Sequence, residues 1–156
     1  MINLKKFTNL DQTQKGYVKA DPVKRVIAFV IDSVIAVMIG VIPVFGGILG
    51  GLFFLFRDAL PVEWLESRSP GKRLIGLDIV KRDTNAGVLD YADSAKRNWM
   101  FALNLMIAVP VLGWMIAPLI VVAGPLLVLL ETYRVFADDE GKRIGDLIAG
   151  TMVIEK

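Results

Sequence analysis

Two long stretches almost free of charge constrain this chain more than any other feature. From Val26 to Phe56 there are 31 residues in which Asp32 is the only charge, and from Asn98 to Leu130 there are 33 with none. Uncharged apolar runs of this length are expected of membrane spans rather than of buried core helices. Each is nevertheless too long for one span, since a straight helix of 31 residues would measure about 46 Å against a hydrocarbon core of about 30 Å. Breakers stand near the centre of each block: Pro43, Gly46 and Gly47 in the first, Pro110, Gly113 and Pro118 in the second. Each block is therefore expected to be a helical hairpin with its tight turn on the far side of the membrane.

The cations test this expectation. Of the 18 Lys and Arg residues, six lie in residues 1–25, eight in 57–97 and four in 134–156, and neither apolar block contains one. Two spans would put the eight-cation segment opposite the N-terminus, whereas four spans keep every cation on one side, as the positive-inside rule requires. The expected fold is an all-α membrane protein of four transmembrane helices in two hairpins, both termini cytoplasmic, with a small cytoplasmic β-ribbon. The spans are expected at about 22–43, 46–65, 94–112 and 115–136, in the cell (plasma or inner) membrane. Residues 1–21 read as a lysine-bearing cytoplasmic tail and 22–156 as one membrane domain, with a cytoplasmic loop at 66–93 and a cytoplasmic C-terminal segment at 137–156. No cleavable signal is expected, because the first apolar run begins only at Val26 and is too long. Asp21-Pro22 is a helix start, with an N-cap followed by proline at the first helical position.

The ribbon is expected from Leu77–Lys81 and Thr151–Glu155, both rich in β-branched residues, with Asp83-Thr84-Asn85-Ala86-Gly87 as a turn cluster after the first. These runs also end two similar passages. Ser69-Pro70-Gly71-Lys72-Arg73-Leu74-Ile75-Gly76 follows the first hairpin, and Glu140-Gly141-Lys142-Arg143-Ile144-Gly145-Asp146-Leu147 follows the second. Parallel internal repetition and convergence on a basic juxtamembrane loop both account for the likeness.

Cysteine and histidine are absent, which removes disulfides, thiol nucleophiles and the commonest acid-base and metal-binding side chain. No enzyme, cofactor or metal site is expected, and no nucleic-acid partner. Gly71-Lys72-Arg73 lacks the upstream glycine and the following Ser or Thr of a phosphate-binding loop. Lys72, Arg73, Lys142 and Arg143 are expected instead to meet the anionic headgroups of the bilayer. Gly46/Gly50 and Gly47/Gly51 form Gly-x-x-x-Gly pairs suited to close helix packing.

Asp32 is expensive at its depth and needs an explanation. Arg25 lies seven residues earlier, about 10 Å along a helix axis and on the same face. In one reading Asp32 binds a monovalent cation or a proton, with Arg25 competing for it. In the other it is a structural tie, paired with Arg25, with Arg57 or with backbone amides.

Three motifs in order resemble a known family. Arg25-x-x-Ala28-x-x-x-Asp32, the passage Ser69–Leu77, and Arg143-Ile144-Gly145-Asp146-Leu147-Ile148-Ala149-Gly150-Thr151 are similar to the RDD family of bacterial and archaeal membrane proteins. The family is named for one arginine and two aspartates, which by motif position fall on Arg25, Asp32 and Asp146. The resemblance implies a transport role, sodium–proton antiport having been attributed to at least one member. It would make Asp32, Arg25 and Asp146 the ion- or proton-binding residues, in a homo-oligomer because four short spans hardly enclose a path. Gly145 stands where many members carry a histidine, so a relay through that side chain has no residue here. The alternative is a non-transporting scaffold or accessory protein in which the same charges are structural.

Overall fold

Asp21 and Pro22 start the first helix as their chemistry dictates. The Val23 amide donates to Asp21 Oδ1 at 2.6 Å, and Pro22 occupies a position whose N–H would have had no helical partner. The structure, a computed structural model, describes residues 18–43, 45–81, 89–107 and 112–155, without the side chains of residues 104 and 112. Most of the lysine-bearing tail, the turn cluster at 83–87 and Pro110 lie outside the described residues.

Helix α1 (Pro22–Gly40) buries one stripe, Arg25, Ala28, Asp32 and Ala36, and exposes Val23, Val30, Val34 and Val37. Arg25 and Asp32 therefore share a face, as their spacing predicts. Helix α2 (Gly46–Phe56) folds back against α1. Gly46 permits this, because a Cβ there would overlap the backbone carbonyl of Gly40.

The four expected spans are corrected in two places. The second was expected at 46–65, but α2 is only 11 residues, about 16 Å, and gives way to 3-10 turns at Arg57–Ala59 and Glu63–Leu65. Arg57 and Asp58 turn inward there to meet buried partners, and Pro61 cannot continue a helix. The third was expected at 94–112 and is instead broken into α4 (Tyr91–Arg97), a 3-10 turn at Trp99–Phe101 and α5 (Ala102–Met106). The break follows the fully buried Arg97 and Asn98. The fourth, expected at 115–136, is α6 (Leu112–Ala137), which runs unbroken through Pro118 and Pro125. Among the described residues, Gly113–Ala137 is the one stretch of helix both long and apolar enough to cross a membrane. Helix α1 has 19 residues but carries Lys24, Arg25 and Asp32. The described architecture is thus mostly helical, with one such helix and a small sheet.

The expected ribbon forms with the expected bounds. Strands β1 (Leu77–Lys81) and β2 (Thr151–Glu155) pair antiparallel, Leu77 opposite Glu155 and Lys81 opposite Thr151. Residues 18–20 flank β2 on its other side, with the Ala20 amide donating to the Val153 carbonyl at 3.3 Å and the Glu155 amide to that of Val18 at 3.0 Å. Ala20, Ala28, Leu77, Ile79, Leu89 and Val153 form the apolar core between ribbon and α1.

Each strand is reached the same way. Helix α3 (Pro70–Ile75) leads through Gly76, at φ +75°, into β1, and α7 (Ile144–Ile148) through Gly150, at φ +63°, into β2. The repeated unit is a short helix, a left-handed glycine and a strand. The Gly-Lys-Arg triplets are placed differently, inside α3 in the first copy and ahead of α7 in the second.

Candidate functional site

The second residue of each short helix is a glycine that docks on a buried carboxylate. The Gly71 amide donates to Asp32 Oδ1 at 2.7 Å, and a Cβ on Gly71 would overlap the Ala28 carbonyl. The Gly145 amide donates to Glu131 Oε1 at 3.1 Å and the Ile144 amide to Oε2 at 2.9 Å, while a Cβ on Gly145 would overlap the Arg97 carbonyl. Free amides at a helix start favour a negative partner, so each long helix offers one carboxylate to one short helix. The missing histidine at position 145 acquires a physical reason: in this packing no side chain fits there.

Asp32 is 1 % exposed and pairs with Arg57, Oδ2 to Nη1, at 3.3 Å. The Arg57 guanidinium carbon lies 5.1–5.6 Å from the ring centroids of Phe54, Phe29 and Phe101, and Nη2 donates to Asn98 Oδ1 at 3.2 Å. Three aromatic faces around one cation partly replace the water it has lost. Asp58 accepts from Lys72 Nζ and, at 3.3 Å, from Asn98 Nδ2, and pairs with Arg97 Nε at 3.2 Å.

Arg97 joins the two halves. It pairs through Nε with Asp58 and through Nη2 with Asp146 at 3.0 Å, and Nη1 donates to Thr151 Oγ1 at 3.0 Å, at the start of β2. Asp146, fully buried, also meets Arg25 Nη2 at 2.6 Å and Arg143 Nη2 at 3.4 Å, and accepts the Arg143 amide at 3.2 Å. Burial alone would raise its pKa, but Arg97, Arg143 and Arg25 hold it well below the ordinary carboxylate value. Asp146, the third residue of α7, closes the start of that helix through the Arg143 amide and is also the hub of three guanidiniums.

Counted together, Arg25, Arg57, Lys72, Arg97 and Arg143 face Asp32, Asp58, Glu131 and Asp146, five cations against four carboxylates. A surplus charge out of water is costly, and lysine is the member able to lose it. Burial, opposed by Asp58, lowers the Lys72 ammonium from 10.5 to about 7. Because the folded value lies below the unfolded one, charged Lys72 opposes folding below about pH 7, and the penalty is relieved as pH rises toward 10.5. Stability should increase by roughly 2 kcal/mol between about pH 6 and pH 9. Denaturant unfolding in detergent at the two pH values measures this gain, and Lys72→Met should abolish it; an unchanged slope in the variant would assign it elsewhere.

Two spaces adjoin the cluster. A cavity of about 70 Å³ is bordered by Arg25, Asp32, Arg57, Lys72, Glu131 and Arg143, with Phe29, Met100 and Val128 on its apolar side. Those last three also line a groove of about 970 Å³ between α5 and α6.

Arg25 and Asp32, which the sequence offers as a pair, are on separate partners, Asp146 and Arg57. Of the four cations expected at the lipid headgroups, Lys72 is buried against Asp58 and Lys142 is buried beside Glu140. Arg143 is mostly covered by Asp146, and Arg73, about 29 % exposed, pairs with Glu66 at 3.3 Å. Glu131, Arg97, Asn98 and Asp58 are functional residues that the sequence motifs do not point to. All of them stand at the borders of the apolar blocks, and that position was the available signal.

The model of the RDD family matches residues 45–150, more than half of the chain. The matched span contains Asp146 and begins after Arg25 and Asp32, so those two are linked to the family by motif resemblance. No curated protein and no solved structure matches the chain. The chain belongs to the RDD family, whose proteins are membrane-associated.

Proposed function

We propose that this is a multi-pass membrane protein whose buried charges are structural, and that it serves as a non-transporting scaffold or accessory protein. Its ribbon and both termini lie on the cytoplasmic side, where the positive-inside rule puts its cations. The observation that carries this reading is Asp32 itself, buried, paired with Arg57 and bonded by the Gly71 amide. A carboxylate so engaged ties α1 to α2 and α3. Asp32→Asn keeps the shape but removes the charge, and should cost about 2 kcal/mol by denaturant unfolding. Purified protein in proteoliposomes should catalyse no cation–proton exchange. Exchange by the native chain that vanishes in a stably folded Asp32→Asn variant would overturn the reading.

Ion-coupled transport by a homo-oligomer is the second reading. It is favoured by the charge-lined cavity beside Asp32, which holds Lys72, a group that titrates near neutral pH. The same flux measurement decides between the two.

A further inference from the structure

The cavity and the groove differ in chemistry and share a border. Both carboxylates on the cavity wall are engaged, Asp32 by Arg57 and the Gly71 amide, Glu131 by the Ile144 and Gly145 amides. The spare capacity is on the cations. Arg57, 2 % exposed, has Nε without a hydrogen-bond acceptor among the described residues, its Nη1 being held by Asp32, and Arg143 has Nε without one. Buried guanidinium N–H groups left unfilled beside a cavity ask for an acceptor, and anionic oxygen is the strongest one. A single water needs about 10–15 Å³ of such space. A cavity of about 70 Å³ therefore has room for a phosphate-sized group.

The groove next to it is apolar from end to end. It runs along α6 from Ile116 to Val128, about 18 Å of helix, which is close to the thickness of one leaflet's hydrocarbon. Its volume of about 970 Å³ is at the upper end of the usual range for ligand sites, about 300–1,000 Å³. Phe29, Met100 and Val128 form the common border, so one molecule can occupy both spaces.

We infer that the chain binds an anionic glycerophospholipid, its phosphate in the cavity against Arg57 and Arg143 and its acyl chains in the groove between α5 and α6. The proposal does not depend on whether Asp32 moves an ion. Charge complementarity selects this occupant: a zwitterionic lipid fills the groove equally well but brings a cation toward a cavity whose rim carries four cations against two carboxylates, both already engaged.

The test uses the full chain in a nonionic detergent, with phosphatidylglycerol, phosphatidylcholine and inorganic phosphate as probes. Binding is read by native mass spectrometry and by thermal stability. Phosphatidylglycerol should bind about tenfold more tightly than phosphatidylcholine and raise the melting temperature, while phosphate alone at the same concentration should not. Gly124→Leu fills the groove from a position where a Cβ meets nothing within 4 Å. It should reduce phosphatidylglycerol binding about tenfold without lowering the lipid-free melting temperature. Arg143→Gln, read only for the ratio between the two lipids, should shrink the preference to about threefold. Equal binding of both lipids, an equal effect of phosphate alone, or unchanged binding in Gly124→Leu would each overturn the proposal. An unchanged lipid ratio in a folded Arg143→Gln variant would do the same. Should that variant fail to fold, Gly124→Leu and the two native-chain comparisons decide.

Discussion

Asp146→Asn is expected to destabilise the fold by about 3–5 kcal/mol, the scale on which losing one member of a buried ionic network acts. The substitution keeps the shape of the side chain but leaves Arg25, Arg97 and Arg143 facing one another without their common anion. These guanidiniums come from α1, α4 and the start of α7, so their repulsion acts on three joints at once. Denaturant unfolding in detergent micelles measures the loss. Lys24→Ala is the control, since its pair with Glu155 at 2.6 Å is largely exposed and should contribute under about 1 kcal/mol. Equal effects of the two substitutions would mean that Asp146 is not the hub the geometry makes it. The sign with pH follows from its depressed pKa: the stabilisation is present above the ordinary value of 3.8 and is lost as the medium is acidified below it.

Gly71→Ala should cost about 3 kcal/mol, the upper end of ordinary overpacking. The added methyl would overlap the Ala28 carbonyl and come within 2.9 Å of Asp32 Oδ1, and neither α1 nor α3 can move without breaking the amide–carboxylate contact beside it. Gly76→Ala provides the comparison. A Cβ there meets nothing within 4 Å, so only its left-handed backbone, φ +75°, opposes the change, at about 1 kcal/mol. Unfolding curves for the two variants separate close packing from conformational strain. If Gly76→Ala were the more damaging, close packing would not be what position 71 requires.

Much of the local structure was legible in the residues. Asp21-Pro22 marks the start of α1, the β-branched runs mark both strands, and the glycine pair at 46 and 50 marks the hairpin seam. Local signals of this kind depend on neighbours within a turn or two. The expected helix lengths failed where tertiary demands overrode hydropathy. The third span is broken because Arg97 and Asn98 have to be turned into the charge cluster, and the second stops because Arg57 and Asp58 do too. Hydropathy averages over such residues, whereas a buried guanidinium dictates the path of the backbone that carries it.

The sequence by itself determined where charge is excluded, where α1 starts, which two stretches pair as strands, and that Arg25 and Asp32 share a face. Only the tertiary structure decided the partners. Arg25 reaches Asp146 across 121 positions, and Asp32 is met by Arg57 and the Gly71 amide instead. The physical reason is that a buried charge must be neutralised by whatever packing brings within about 3–4 Å, a condition set by the fold. Spacing along α1 holds Arg25 and Asp32 about 10 Å apart on their shared face, too far to satisfy each other.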